Sequence, residues 1–310
     1  MPGNGGYVVW VDHAFGPLAA SLMGTWKYAC GAVGAAAFPA LCSDYLARVA
    51  PAVSGGGGAR VATIATFNVA LTFLNYTGLG VVGWSVVALG LASLSPFVVM
   101  VAISVPKIRP RRWAAATAGE KDWKLFLNTL FWNLNGWDSV STMAGEVERP
   151  GKTFPLALVS AVCMGSLGYL LPLMAAIGAI DAPPEAWGDG YFADAAGRIA
   201  GKWLKYWTEV GAALSSVGLY SATLSSAAYL LAGMADHGLI PSLFAARSPV
   251  FNTPWASVAV TGAVALGMSF LSFDSIVAAT NALYSLGTVL ELAAFVWLRA
   301  RSWRGPTACR

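Results

Sequence analysis

From Val61 to Pro106 the chain runs for 46 residues without a single Asp, Glu, Lys, Arg or His. As one helix this stretch would rise about 69 Å, twice the thickness of a hydrocarbon bilayer core. It therefore has to fold back. Glycine is the cheapest turn former, so the break is expected at Gly78-Leu79-Gly80 through Gly83. Two membrane spans result. Composition supports the same reading over the whole chain. Charged residues make up 11% of its 310 residues and hydrophobic ones 57%, against roughly 25% and about 45–50% for soluble domains. A water-facing surface of this size needs more charge than that.

Applying the length rule throughout gives about eight spans, near 14–43, 61–77, 82–105, 125–144, 155–180, 206–234, 255–273 and 275–298. The segments are apolar all round and lack the charged outer face of a soluble helix. The fold class is all-α, a polytopic transmembrane helix bundle, read as one domain over residues 1–310. The connectors are the glycine loop SGGGGAR, the basic loop 107–124 and an acidic, turn-rich segment after Ile180 read as solvent-facing. A polar loop joins the sixth and seventh spans, and the tail is basic. The N-terminus lacks the basic and apolar regions of a signal peptide. The basic loop and the basic tail are separated by five spans, so one of them violates the positive-inside tendency.

Catalytic and cofactor chemistry is poorly supplied. Two histidines, His13 and His237, read as loop or helix-end residues, and four cysteines form no CxxC pair. A zinc or His-based catalytic centre lacks its parts, and no GxxxxGK[ST] phosphate cradle occurs. No enzyme activity, cofactor or metal is expected, and the small net charge of +4 gives no reason to expect nucleic acid.

The fourth span carries the polar chemistry. Asn133, Asn135, Gly136, Asp138, Ser139, Ser141 and Thr142 fall within ten residues. An unsatisfied polar group in hydrocarbon costs several kcal/mol, and an ionisable group in a span marks a pathway or a pair. Asn135-Gly136 favours a local helix break, the arrangement transporters place at their substrate site; polar helix–helix contact is the alternative. Glu209, near Lys205, reads equally as an interfacial residue or a functional one. Tyr220, Ser221, Thr223, Ser225 and Ser226 form a small polar face that helix packing explains as well as ligand contact does. Glu291 sits in the last span with Asn281 and Tyr284, its role open. Lys27, beside Trp26 in the first span, reads as a snorkelling lysine.

The stretch FWNLNGWDSVSTMAGEVERPGKTFPLAL resembles the sixth transmembrane helix of the amino acid–polyamine–organocation superfamily. Closer still, it resembles the plant polyamine uptake transporters, a branch of the L-type amino acid transporters. FLNYTGLGVVGW, AAGRIAGKWLKYW, LSSAAYLLAGMADHGLIPSLF, FNTPWASV and NALYSLGTVLELAAFVWLR agree with it. GGYVVWVDHAFGP resembles the end of the second helix and the cytoplasmic segment after it. The resemblance covers about residues 5 to 299. It implies a five-plus-five inverted-repeat fold, with these eight spans as the third to tenth helices. The first helix, most of the second and the last two are then missing, so the expectation is a partial fold truncated at both ends. It also implies that the 107–124 loop lies outside and the tail inside.

The resemblance further implies that Trp132, Asn133, Leu134, Asn135, Gly136 and Asp138 line the substrate site, joined by Tyr220 and Ser221. Asp138, Glu209 and Glu291 become the candidates for proton coupling, and Tyr220 and Trp132 for cation–π contact. Two departures stand out: Gly34-Ala35 replaces an Asp-Asn pair common in relatives, and no acid lies at 221–223. Both remove negative charge that a polycation would use. The expected function is proton-coupled uptake of polyamines or cationic amino acids across the plasma membrane. The expected partners are the small-molecule substrate, protons and the lipid bilayer. The alternatives are a transporter of neutral amino acids and a non-transporting truncated membrane protein.

Overall fold

The computed structural model describes residues 4–50, 57–114, 122–183, 186–188 and 190–302. Eleven α-helices are described: α1 Tyr7–Phe15, α2 Pro17–Ala35, α3 Ala37–Val49, α4 Gly57–Tyr76, α5 Leu79–Ser104, α6 Trp123–Leu134, α7 Pro150–Ala179, α8 Tyr191–Ala200, α9 Lys202–Asp236, α10 Trp255–Met268 and α11 Phe273–Ser302. A ten-residue 3-10 segment, Trp137–Glu146, follows α6. A single antiparallel bridge, Arg247 to Pro254, is the only β pairing among the described residues. The molecule is an all-α bundle.

Among the described residues six helical stretches are long and apolar enough to cross a membrane: Pro17–Val49, Gly57–Tyr76, Leu79–Lys107, Pro150–Ala179, Lys202–Asp236 and Phe273–Arg301. The break expected in the 46-residue run is at Gly78, whose φ of 119° separates α4 from α5. Two expected spans differ. The 255–273 segment is a shorter apolar helix that ends at Met268. The 125–144 segment is two pieces. The glycine loop is also shorter than expected, since Gly57 and Gly58 already belong to α4; its residues 54–56 lie outside the described residues, as do 115–121 of the basic loop and the tail from 303.

The segment after Ile180 is only partly the solvent-facing turn that its acidic composition suggested. Its second half forms α8, whose Ala195 and Ala196 are fully buried. They join Met100 of α5, Ala176 of α7 and Leu204 of α9 in one apolar cluster. Small alanines every few residues let a helix lie close on its neighbours, and their burial outweighs the exposed Asp194 on the other face, which pairs with Lys205 at 2.5 Å.

α9 is the central post. It packs against α2, α3, α5, α8, α10 and the 3-10 segment, and its apolar stretch is the most buried of the six, where that of α7 is the least. One apolar cluster joins α1, α2, α9 and α11 through Tyr7, Val11, Met23, Met234 and Ala294. A second joins α2, α3, α9 and α10 through Ala35, Phe38, Tyr220, Leu224 and Val258. The basic loop has a structural use: the Arg109 backbone N–H and the Arg112 guanidinium both donate to the Gly178 carbonyl, at 2.9 and 3.1 Å, in the last turn of α7. Cations at a helix C-terminus answer its exposed carbonyls and its dipole.

Candidate substrate site

α6 starts at an N-cap, where the Asp122 side chain accepts from the Leu125 N–H at 2.8 Å. It stops after twelve residues because Asn135 is extended and Gly136 is left-handed, with φ 85° and ψ −5°. Nothing crowds the position where a Cβ would sit on Gly136, so the backbone angle alone calls for glycine there. The chain resumes as the 3-10 segment, and Asp138 is its second residue.

The freed ends of this break are held by α11. The Tyr284 hydroxyl accepts from the Gly136 N–H at 3.1 Å and donates to Asp138 Oδ1 at 2.8 Å. Asn135 Nδ2 donates to Asn281 Oδ1 at 3.3 Å, and Asn281 Nδ2 in turn donates to Asn128 Oδ1 at 2.6 Å on α6. Phe131 and Tyr284 meet edge to face with ring centroids 6.0 Å apart. α11 thus reads the broken helix on both sides of its gap.

At the centre lies Lys27. Its Nζ is 2.5 Å from Asp138 Oδ2 and 3.4 Å from Glu291 Oε2, and it donates to Thr288 Oγ1 at 3.2 Å. It sits 3.8 Å from the centroid of the Tyr284 ring and 4.9 Å from that of Tyr7. Lys27 is 4% exposed. The snorkelling reading is therefore wrong: the side chain turns inward, because two carboxylates and two aromatic faces offer its charge more than a distant interface does. The sequence did carry a signal for it. Lys27, Asp138 and Glu291 are ionisable groups within three separate apolar segments, and such groups pair with one another.

The remaining expected residues separate into two groups. Trp132, Asn133, Leu134, Asn135 and Gly136 flank or form the break. Trp132 stacks edge-on with Phe273 at 5.6 Å, Asn133 accepts from the Tyr169 hydroxyl at 3.3 Å, and Leu134 is exposed. Glu291 is in the cluster. Tyr220, Ser221 and Glu209 are engaged elsewhere. Tyr220 is fully buried with its hydroxyl 3.0 Å from Thr72 Oγ1. Ser221 donates to the Val217 carbonyl of its own helix at 3.0 Å. Glu209 pairs with Arg48 at 3.5 Å. The aromatic faces over Lys27 are those of Tyr284 and Tyr7. On α9 it is Ser226 that reaches the 3-10 segment, donating to the Ser139 carbonyl at 3.1 Å.

A clasp closes the far end of the 3-10 segment. Glu146 Oε1 accepts from Arg247 Nη2 at 2.7 Å and from Asn4 Nδ2 at 2.9 Å, while the Gly145 N–H donates to Asn4 Oδ1 at 3.1 Å. Burial pushes the Glu146 carboxyl up, but the hydrogen bonds from Arg247 and Asn4 outweigh it and hold the group below its ordinary value.

Comparison with known proteins agrees with this architecture. The family model described as amino acid permease matches residues 1–307. The chain is 48% identical to the polyamine transporter PUT1 of Oryza sativa subsp. japonica, over 100% of this chain and 57% of that protein. It is 46% identical to the polyamine transporter RMV1 of Arabidopsis thaliana, over 97% of this chain and 61% of that one. A more distant relative is the glutamate/serine transporter AimA of Bacillus subtilis (strain 168), 30% identical over 47% of this chain and 28% of its own length. The chain thus spans about 60% of the length of the plant relatives it matches. With a family match over nearly its whole length and six apolar helices of membrane-crossing length, the chain is a multi-pass membrane protein and belongs to the amino acid permease family.

Proposed function

We propose that this chain supplies the substrate site of a proton-coupled transporter of polyamines or cationic amino acids at the plasma membrane. The observation that carries the reading is the break at Asn135–Gly136 with Asp138 buried immediately after it. Such a break exposes backbone groups to a cavity at the substrate site of many transporters, and a buried carboxylate there suits an ammonium or a proton. In this reading Trp132 through Gly136 line the substrate path, Asp138 takes the cation and Glu291 serves proton coupling beside it. The relatives named as polyamine transporters support the substrate class. Tyr220, Ser221 and Glu209 stand outside the site, given their other partners. The broken segment and α10 complete eight crossings of a single domain, the third to tenth helices of a five-plus-five inverted repeat.

A second reading, transport of neutral amino acids, draws on one observation: Lys27 already neutralises Asp138. Uptake of labelled spermidine into cells expressing the chain separates the two. Saturable, pH-dependent uptake that unlabelled putrescine competes away and leucine does not supports the first reading. Saturable uptake of labelled leucine with none of labelled spermidine supports the second, and no saturable uptake of either label sinks both.

A further inference from the structure

The surroundings of Lys27 have a chemistry of their own. A primary ammonium has three N–H donors, and all three are answered here: by Asp138, by Thr288 and by Glu291. Two aromatic faces cover the charge. Behind the head lies a slot cut for an alkyl chain. A Cβ on Gly287 would meet Lys27 Cε at 2.6 Å, Cγ at 2.8 Å and Cδ at 2.9 Å, so the stem lies directly on the glycine backbone of α11. Head group and slot together select a flexible chain of methylenes ending in a primary ammonium.

The geometry points to Lys27 as the tethered occupant of an aminoalkyl-binding cage, which a free aminoalkyl substrate enters by displacing the Lys27 ammonium from Asp138 and Glu291. The four methylenes of a lysine side chain match one end of a short diamine. Two carboxylates face one lysine, so the pocket suits a cation whether that cation is Lys27 or its replacement. Lys27 then sets specificity as a built-in competitor. Only a ligand that brings its own ammonium restores what the displaced lysine gave up, and a neutral molecule of the same shape does not. The substrate named rests on the transport reading; the cage does not.

The test uses the purified full chain, n-butylamine as probe and n-butanol as its neutral counterpart. Lys27→Ala empties the cage and lowers the melting temperature, and millimolar n-butylamine restores it where n-butanol does not. Adding Gly287→Ala to Lys27→Ala fills the slot and abolishes the rescue. Lys27→Ala also removes the competitor and leaves the slot open, so it binds putrescine about tenfold or more tightly than the unaltered chain does, the scale of a charge-assisted hydrogen bond. If Lys27→Ala fails to fold, expression with n-butylamine in the medium recovers folded protein. The proposal is overturned if n-butylamine acts no better than n-butanol on Lys27→Ala, or if Lys27→Ala binds putrescine no more tightly than the unaltered chain. Rescue by n-butylamine with no polyamine uptake by the unaltered chain would uphold the cage and remove the transport reading.

Discussion

Three hydroxyls of α9 and the side chains of the Lys27 cluster are all polar groups inside a bundle of apolar helices, yet they are satisfied in opposite ways. On α9 the hydroxyls of Thr208, Ser216 and Ser221 donate to carbonyls four residues back, Leu204, Ala212 and Val217, at 2.8 to 3.1 Å. Each bond is made within the helix and would survive if the neighbours were lipid. Lys27, Asp138, Glu291 and Tyr284 have no such local exit. Their partners come from α2, from the broken segment and from α11 at once. A serine in a membrane helix can be a tolerated residue; a buried charge has to be part of a construction that spans several elements.

The comparison breaks most visibly at Asp138. Asp138→Ala leaves the Lys27 ammonium with Glu291 alone, and removing one partner of a buried pair costs about 3–5 kcal/mol. Thermal unfolding in detergent reads this as a large drop. Lys27→Met combined with Asp138→Leu recovers much of it, and simple additivity of the two losses would show that the groups are not coupled. Tyr284→Phe removes one hydroxyl from between the Gly136 N–H and Asp138, and the same assay shows a loss of about 1–3 kcal/mol. Gly136→Ala forces a side chain into the left-handed region at φ 85° and costs about 1–2 kcal/mol by strain alone, since no atom stands where its methyl would go.

Smaller effects sharpen the contrast. The Glu146–Arg247 clasp is half-exposed and contributes about 1 kcal/mol or less. Because the folded carboxyl is held below its ordinary value of 4.5, its contribution is complete above that pH and is lost as pH falls through the lowered value. Glu146→Gln therefore melts below the unaltered chain at pH 7, and the gap closes in acid. A gap that stays constant from pH 7 to pH 3 would show that the charge plays no part. Ser221→Ala, on the α9 side of the comparison, changes stability by less than about 0.5 kcal/mol. A loss as large as that of Tyr284→Phe would erase the distinction between the two regions.

Sequence revealed the scaffold where apolar length alone decides. The run from Val61 to Pro106 had to turn, and it turns at Gly78. Asn135-Gly136 announced its break because an extended residue followed by a left-handed glycine cannot continue a helix. Asp138 stood out as the one charge in that span. Lys27 did not, because a lone lysine beside a tryptophan looks the same in sequence whether its stem reaches outward or inward. The direction depends on Asp138, 111 residues further on, and Glu291, 264 residues on. Tyr220 and Ser221 show the converse: a polar face on a helix does not say which groups answer it, here Thr72 and the Val217 carbonyl. α8 was hidden by composition, since its acidic and small residues read as loop until α5, α7 and α9 are there to cover its alanines.

Asp138 at the helix break is the centre of this account. Its most direct test is uptake of labelled spermidine by cells expressing the unaltered chain or Asp138→Asn at matched surface levels. The isosteric change keeps the shape of the side chain and removes its charge. The account predicts saturable uptake by the unaltered chain and at least a tenfold loss in Asp138→Asn. Equal uptake by the two would contradict it and leave Asp138 as a structural partner of Lys27.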